Sequence, residues 1–219
     1  MNVLGLVQLC EVAQPSGGYS HSFHVEQLAQ RGRLTTAEQL LHFLRNVLHV
    51  AIAPADGIAS GIAFRAARSG EFEHIPMVCA AMSSGVLPTE MRLASLQMGQ
   101  RLWALSRSWD WASAVHSQLD PMAADADLHH AVAFGTLVSE ATNSQVRAIA
   151  AYLFNTARNI VLTAIRVIPL EERLGQRVLS EVQPVIAELA QKCVDKRPAD
   201  ILVLPKSSSG DDSMDTLLS

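Results

Sequence analysis

Apolar residues recur along this chain with the period of an α-helix. Thr35-Thr36-Ala37-Glu38 reads as a T-x-x-E capping box. Behind it Ala37, Leu40, Leu41, Leu44, Val47, Leu48 and Ala51 form one stripe at three- and four-residue spacing. Pro54 predicts an end or a kink, because a proline inside a helix removes a hydrogen bond and crowds the preceding turn. A second stripe, Met91, Ala94, Met98, Leu102 and Leu105, follows Pro88, a residue suited to a first turn. A third runs through Val146, Ile149, Ala150, Leu153, Ala157, Ile160, Val161, Ala164 and Ile168. It starts near Thr142 or Asn143, with Thr142 and Gln145 spaced as a T-x-x-Q box, and stops before Pro169. Its length predicts roughly seven turns. A fourth stripe, Val178, Val182, Val185, Ile186, Leu189 and Cys193, carries Pro184 and predicts a kink there. Weaker periodicity marks helices up to about Val12 and over His24–Gln30, Ala55–Ala67, Trp109–Ser117 and Asp127–Glu140.

No run alternates with period two, and no unit of about 34 or 40 residues recurs. The pattern predicts an all-α fold, a compact single-domain bundle of about ten helices over residues 1–205. The remaining segment, 206–219, is KSSSGDDSMDTLLS; it is Ser-rich and acidic and predicts a disordered tail. One internal stretch is also irregular, the turn-rich Gln14-Pro15-Ser16-Gly17-Gly18-Tyr19-Ser20-His21.

Composition narrows the function classes. Of 219 residues 49% are apolar and only 17% charged, against about 25% charged in an ordinary soluble protein. That excludes a disordered chain. A net charge of -4 argues against nucleic acid as a partner, since neutralising phosphates needs a basic surface. No uninterrupted apolar stretch reaches the roughly 18 residues of a spanning helix, so no membrane partner is expected. The positive mean hydropathy, +0.18, points instead to helical surface that another chain covers. Cys10, Cys79 and Cys193 are dispersed and odd in number, as expected of reduced thiols in the cytoplasm. The N-terminal MNVLGLVQLCEV lacks a basic n-region and places Glu11 right after its apolar segment, which does not fit a secretory signal.

Candidate chemistry is sparse. Gly17-Gly18 matches neither phosphate-loop pattern, and all three lysines, Lys192, Lys196 and Lys206, lie near the C-terminus. The glycines read as a tight turn, which leaves Tyr19, Ser20, His21 and Ser22 concentrated on a loop, as contact sites often are. His21 and His24 have the i, i+3 spacing of two ligands on one helix face, but ordinary polar histidines share that spacing. His129 and His130 are adjacent, about 100° apart on a helix, so one is expected to face the core or a partner and the other solvent. His42 and His49 could share a face. Cys10 reads as a buried thiol, Glu171-Glu172 as a solvated helix start, and Trp103, Trp109 and Trp111 as packing around a helix junction. No nucleophile motif of the GxSxG type occurs, so the residues show no enzyme active site and no permanently bound cofactor is expected.

Three blocks in register carry a resemblance. Pro15-Ser16-Gly17-Gly18-Tyr19-Ser20-His21-Ser22 followed by Glu26 resembles the P-[ST]-G-[GS]-[FY]-[ST]-H-S-x-x-[LV]-E signature of the urease accessory protein UreF family. Pro88-Thr89-Glu90-Met91-Arg92, with Ser95, Met98 and Gly99, is similar to that family's central [PA]-x-E-x-R-x-x-S/N-x-x-[ML]-G pattern. His130-Ala131 with Gly135, then Tyr152-Leu153, Asn159, Pro169-Leu170 and Gly175-Gln176, resembles its paired C-terminal helices and their P-L…G-Q joint. Together they cover about residues 4 to 195. The chain departs from the pattern at His24, where Gly is usual. It departs again after Leu204, where a Ser/Asp-rich segment replaces the family's aromatic and arginine-bearing tail.

The resemblance implies an all-helical homodimer that is a scaffold and not an enzyme. It implies binding to the D/H-type accessory protein and the G-type GTPase, with apo-urease in the complex and nickel passing only transiently. It also implies that Pro15, Gly17, Gly18, Tyr19, His21, Ser22, Glu26, Glu90, Arg92, His130, Gly175 and Gln176 form the partner-binding surface or line the nickel path. Two other readings stay open on the residues themselves: a nickel carrier using His21 and His24 as ligands, and a generic helical adaptor.

Overall fold

The computed structural model describes residues 1–12, 25–84, 89–123 and 128–201. The Pro15 to His24 motif, Pro88 and the 206–219 tail therefore lie outside the described residues. Those described are helical and contain no strand. The α-helical segments are α1 (Val3–Val12), α2 (Val25–Gln30), α3 (Ala37–Val47), α4 (Ile58–Ser69), α5 (His74–Ser84), α6 (Thr89–Ser106), α7 (Ser113–Ala123), α8 (His130–Val138), α9 (Gln145–Val167) and α10 (Glu172–Lys192).

The centre of the fold is α8, every residue of which is buried. Its length of 9 residues and its AVAFG composition fit a helix surrounded on all sides. α4 lies against it and is buried almost all round. The two approach until backbones touch: a Cβ on Gly135 would run into the Ser60 carbonyl of α4. α9 and α6 cover other sides of α8, α10 packs on α9, and α3 packs on α10.

Pro54 does not end the first long helix. Residues Leu48–Gly57 form a π-helical segment that joins α3 to α4, so one helix runs continuously from Ala37 to Ser69. The wider i→i+5 turn takes in a residue that lacks an N–H, where the α register would have clashed. One carbonyl of this segment, Ala53 O, accepts from the Ile58 N–H and from the Cys193 thiol, the latter at 3.2 Å. Gly70 ends α4 at φ +78, where Glu71 N–H reaches back to Ala66 O, a Schellman-type stop.

Several sequence expectations shift by a residue or a face. The capping box is Thr36 with Gln39, not Thr35 with Glu38; Gln39 Oε1 accepts from the backbone N–H of both Thr35 and Thr36. Ser144, not Thr142, caps α9, while the Gln145 amide donates to Gly61 O at 3.1 Å. On α6 the buried side is Ser95, Leu96, Gly99, Leu102, Trp103 and Ser106, and Leu105 of the predicted stripe is exposed. Small residues are what let α6 come close to the start of α8. Helix α5 was not signalled by the pattern, because Pro76 and a run of small apolar residues blur its period.

By length and composition two helices are apolar enough to cross a membrane, Ala37–Ser69 and Gln145–Val167. The most apolar windows are 78% and 56% buried in this fold, as expected of core helices.

Candidate functional site

The described polar groups concentrate where α8 begins. His129 is the N-cap, with extended backbone at φ -66 and ψ 150, and His130 is the first helical residue. The 100° separation of consecutive helical side chains therefore does not apply between them. Both rings are buried, at 0% and 4% exposure, contrary to the expectation that one would face solvent.

His130 meets a tyrosine and a carboxyl. Tyr152 in α9 donates its hydroxyl to Asp56 Oδ2 at 3.1 Å, and the phenol oxygen of Tyr152 lies 3.4 Å from His130 Nδ1. The Tyr152 ring also packs on Phe134, edge-on, with centroids 5.3 Å apart. Asp56 reaches this point from the π segment. Burial pushes its carboxyl up to about 6, and the bond from Tyr152 only partly opposes that. Burial, then the neighbouring carboxylate, hold the Tyr152 phenol well above the ordinary tyrosine value.

His129 occupies a second polar niche. Its Nε2 lies 2.9 Å from Ser83 Oγ of α5 and its Nδ1 3.1 Å from Ser95 Oγ of α6. Ser95 Oγ also accepts from the His130 backbone N–H at 3.4 Å. Gly99, one turn along α6, makes this possible: a Cβ there would strike Leu128 O and crowd the His129–His130 peptide.

Among the described residues, the sequence-predicted ones are not gathered in one place, and His130 is the one of them that sits in this cluster. Glu26 lies in the first turn of α2, which packs on α9. Glu90 and Arg92 lie in the first turn of α6, Arg92 half-buried. Gly175 is buried in α10, where a Cβ would collide with Ile165 of α9, so it sets the closeness of that helix pair. Gln176, beside it, is exposed. Pro15, Gly17, Gly18, Tyr19, His21, Ser22 and His24 lie outside the described residues. Asp56 and Tyr152 were not among the candidates. Asp56 is the one acidic residue in the long apolar stretch Val47–Phe64, which is the signal that could have flagged it.

A second cluster joins α6 to α7. Asp120 accepts from Trp103 Nε1 at 2.8 Å and from Arg107, with His116 Nδ1 at 3.4 Å. His116 Nε2 lies 2.9 Å from Ser106 Oγ. Trp109 and Trp111 stack beside it, with centroids 5.2 Å apart, and the Trp111 indole N–H donates to Gln8 of α1. The three tryptophans thus serve packing and one structural network. His42 and His49 are both exposed on α3 and the segment after it.

Among the described residues no three His, Cys, Asp or Glu side chains are grouped so as to hold a metal ion. The three cysteines are free thiols; burial pushes Cys10 and Cys193 up to about 11, so they are poor nucleophiles.

Comparison with known proteins places these features in a family. The family model for UreF matches residues 34–183, more than half of the chain. The urease accessory protein UreF of Lachnoclostridium phytofermentans is 29% identical over 187 residues, covering 85% of this chain and 82% of that protein. The urease accessory protein UreF of Paenarthrobacter aurescens is 28% identical over 197 residues, covering 88% and 86%. The matched span includes α3 to the first half of α10, and with it Asp56, His129, His130 and Tyr152, so the chain belongs to the UreF family.

Proposed function

We propose that this chain is a urease maturation factor: a non-enzymatic scaffold that bridges the D/H-type accessory protein and the G-type GTPase and so promotes nickel insertion into apo-urease. The observation that carries the reading is the family match over residues 34–183, together with relatives named for urease accessory function that align along most of their length. Exposed apolar side chains support a partner-covered protein. On α1, Val3, Leu4 and Val7 are 51%, 81% and 53% exposed, and Met1 just before it 74%, a set that solvent alone does not favour. The reduced thiols suit work in the cytoplasm. In this reading the chain works as a homodimer, nickel is cargo and not a resident cofactor, and the segment from Pro15 to Glu26 with Glu90, Arg92, His130, Gly175 and Gln176 contributes docking surface or path.

The test is co-purification of the full chain with the two accessory proteins and apo-urease, scored for urease activation. Stable complexes and activation are expected. Failure to bind either accessory partner would leave a generic helical adaptor. Stoichiometric nickel binding by the isolated chain, lost in a His21→Ala/His24→Ala variant, would replace the scaffold by a carrier.

A further inference from the structure

We propose that the exposed apolar face of α1 is covered by the chain's own C-terminal segment Met214–Leu218, which holds that face until a partner displaces it. α1 lies along the first half of α9: Met1 Sδ is 3.7 Å from Arg147 Nη1, and Glu11 Oε1 is 3.5 Å from Arg158 Nη2. Gly5 and Leu9 are its buried side, while Val3, Leu4 and Val7, at i, i+1 and i+4, form one outward face. Two arginines stand at the end where this face begins. Arg147 donates to the Met1 thioether, and Arg68 of α4 donates to Ser139 O at 3.5 Å. Asn2 N–H donates to Ala141 O, two residues past the carbonyl that Arg68 holds. Both arginines are exposed, and among the described residues neither meets a carboxylate.

The chain leaves the described fold at that same end. Arg65, one turn from Arg68 and about 4.5 Å along α4, donates to Lys196 O at 2.7 Å. The turn Pro198–Asp200 then packs on α4 and α5, and Ile201 is buried. An extended chain from Ile201 to Met214 spans up to roughly 40 Å. α1 has 10 residues and is about 15 Å long, so all of its face is in reach.

The segment is complementary to what it would cover. Met214, Leu217 and Leu218 have the i, i+3, i+4 spacing of one helix face, and Asp211, Asp212 and Asp215 lie beside them. The apolar side chains match Val3, Leu4 and Val7; the carboxylates match Arg68 and Arg147. A second copy meeting this one through α1 across a two-fold axis would set like arginines against each other. Three apolar side chains gain little beyond the entropy lost in ordering the residues that carry them, so the cover opens readily. Competition with a partner rests on the proposed function; the cover itself does not.

The experiment is methyl NMR of the full chain at low concentration, with hydrogen exchange of residues 214–218. Methyl contacts from Met214, Leu217 and Leu218 to Val3, Leu4 and Val7 are expected, with exchange slowed several-fold relative to a Leu4→Asp chain. An aspartate in the first turn of α1 suits that helix end, so α1 should survive the change, as circular dichroism would show. Leu217→Asp/Leu218→Asp should likewise release the segment, and Arg68→Gln/Arg147→Gln should weaken its protection. Absent contacts, or exchange as fast in the parent as in the Leu4→Asp chain, would overturn the proposal. Contacts found only between differently labelled chains would overturn it in favour of a second copy. Affinity for the accessory proteins is read separately, and the Leu217→Asp/Leu218→Asp chain should bind about tenfold more tightly; equal affinity would overturn the competition. If the contacts are present and neither chain binds an accessory protein, the proposed function fails and the cover stands. Binding and urease activation without the contacts do the reverse.

Discussion

Asp56 and Asp120 are built from similar parts and meet opposite fates. Each carboxyl accepts a bond from an aromatic donor, Tyr152 O–H for Asp56 and Trp103 N–H for Asp120, and each has a histidine close by. Asp56 is half-buried beside α9, and among the described residues no arginine or lysine lowers its pKa, so loss of solvation raises it to about 6. Asp120 is also pushed up by burial. The Trp103 and His116 bonds and the Arg107 charge outweigh that and hold it below the usual carboxylate range. At Asp56 one hydrogen bond does not offset the lost solvation; at Asp120 two hydrogen bonds and then the Arg107 charge outweigh it. The α6–α7 cluster therefore stabilises the fold in which it sits, whereas the α8 cluster is sustained by the packing around it. Carboxyls held against their own preference concentrate at functional sites, and that is a reason to look for function at Asp56 first.

If the α8 cluster depends on its packing, the largest effect should come from disturbing the backbone approach that builds it. Gly99→Ala puts a Cβ into Leu128 O and against the His129–His130 peptide, where no side chain can yield. The expected loss is about 3 kcal/mol or more, measured by urea denaturation. A loss under about 1 kcal/mol would mean that α8 can slide, and that the cluster geometry is not imposed by its neighbours.

The two carboxyls should give pH dependences of opposite sign. The folded pKa of Asp56 is raised, so between about pH 4 and 6 the folded state keeps a proton that the unfolded state releases, and stability falls as pH rises. The full effect is on the order of 3 kcal/mol. Asp56→Asn should remove this slope and be at least as stable as the parent at pH 8, since its amide oxygen still accepts from Tyr152. Asp120 is depressed, so its contribution is present above the unfolded pKa and is lost as pH falls through the folded one. Stability curves of the parent and Asp56→Asn from pH 4 to 8 check the first. Curves for Asp120→Asn below pH 4 check the second.

The two clusters were unequally legible in the sequence. Helical period identified the all-α class and the long helices α3, α6, α9 and α10, because each carries a stripe at three- and four-residue spacing. It placed the α6 face only in part: Leu102 is buried but Leu105 is exposed, and Gly99 and Ser95 face the core through smallness and hydrogen bonding, which a hydrophobic stripe does not register. Pro54 read as an end or a kink because local rules assume the α register, and only the packed structure shows the π turn that carries the helix through it. His130 was marked by family resemblance, while Asp56 and Tyr152, 96 residues apart, become neighbours only through tertiary packing. Spacing in one chain segment cannot reveal such a pair. Physical reading alone did find the tryptophan group, since Trp103, Trp109 and Trp111 lie within one helix junction.

Removing the Asp120 side chain tests the stabilising half of the comparison. Asp120→Ala strips a partner from Trp103 Nε1, which sits in a residue only 5% exposed, and from Arg107. A buried donor left without its acceptor costs about 1–3 kcal/mol, and about 2 kcal/mol is expected here. Trp103 emission should shift at the same time, because the indole N–H loses a charged acceptor. A neutral substitution would put Asp120 and Asp56 in the same class and erase the contrast.

The smallest effect should come from the cation itself. Arg107 lies 2.8 Å from Asp120 Oδ2, but its side chain is 56% exposed, so water and salt screen the pair. Arg107→Met keeps much of the stem packing and removes only the charge. The expected loss is below about 1 kcal/mol at low salt, and it should shrink further at about 1 M salt, where the screening length is only a few ångströms. The same variant should move Asp120 toward its ordinary pKa, because one of the influences that holds it down is gone. The carboxyl resonance of Asp120, followed by NMR across the acidic range, reads that shift directly. If the pKa stays depressed without Arg107, the Trp103 and His116 bonds suffice to hold the charge. The difference between Asp120 and Asp56 would then lie in the number of hydrogen bonds each carboxyl accepts, and not in the cation.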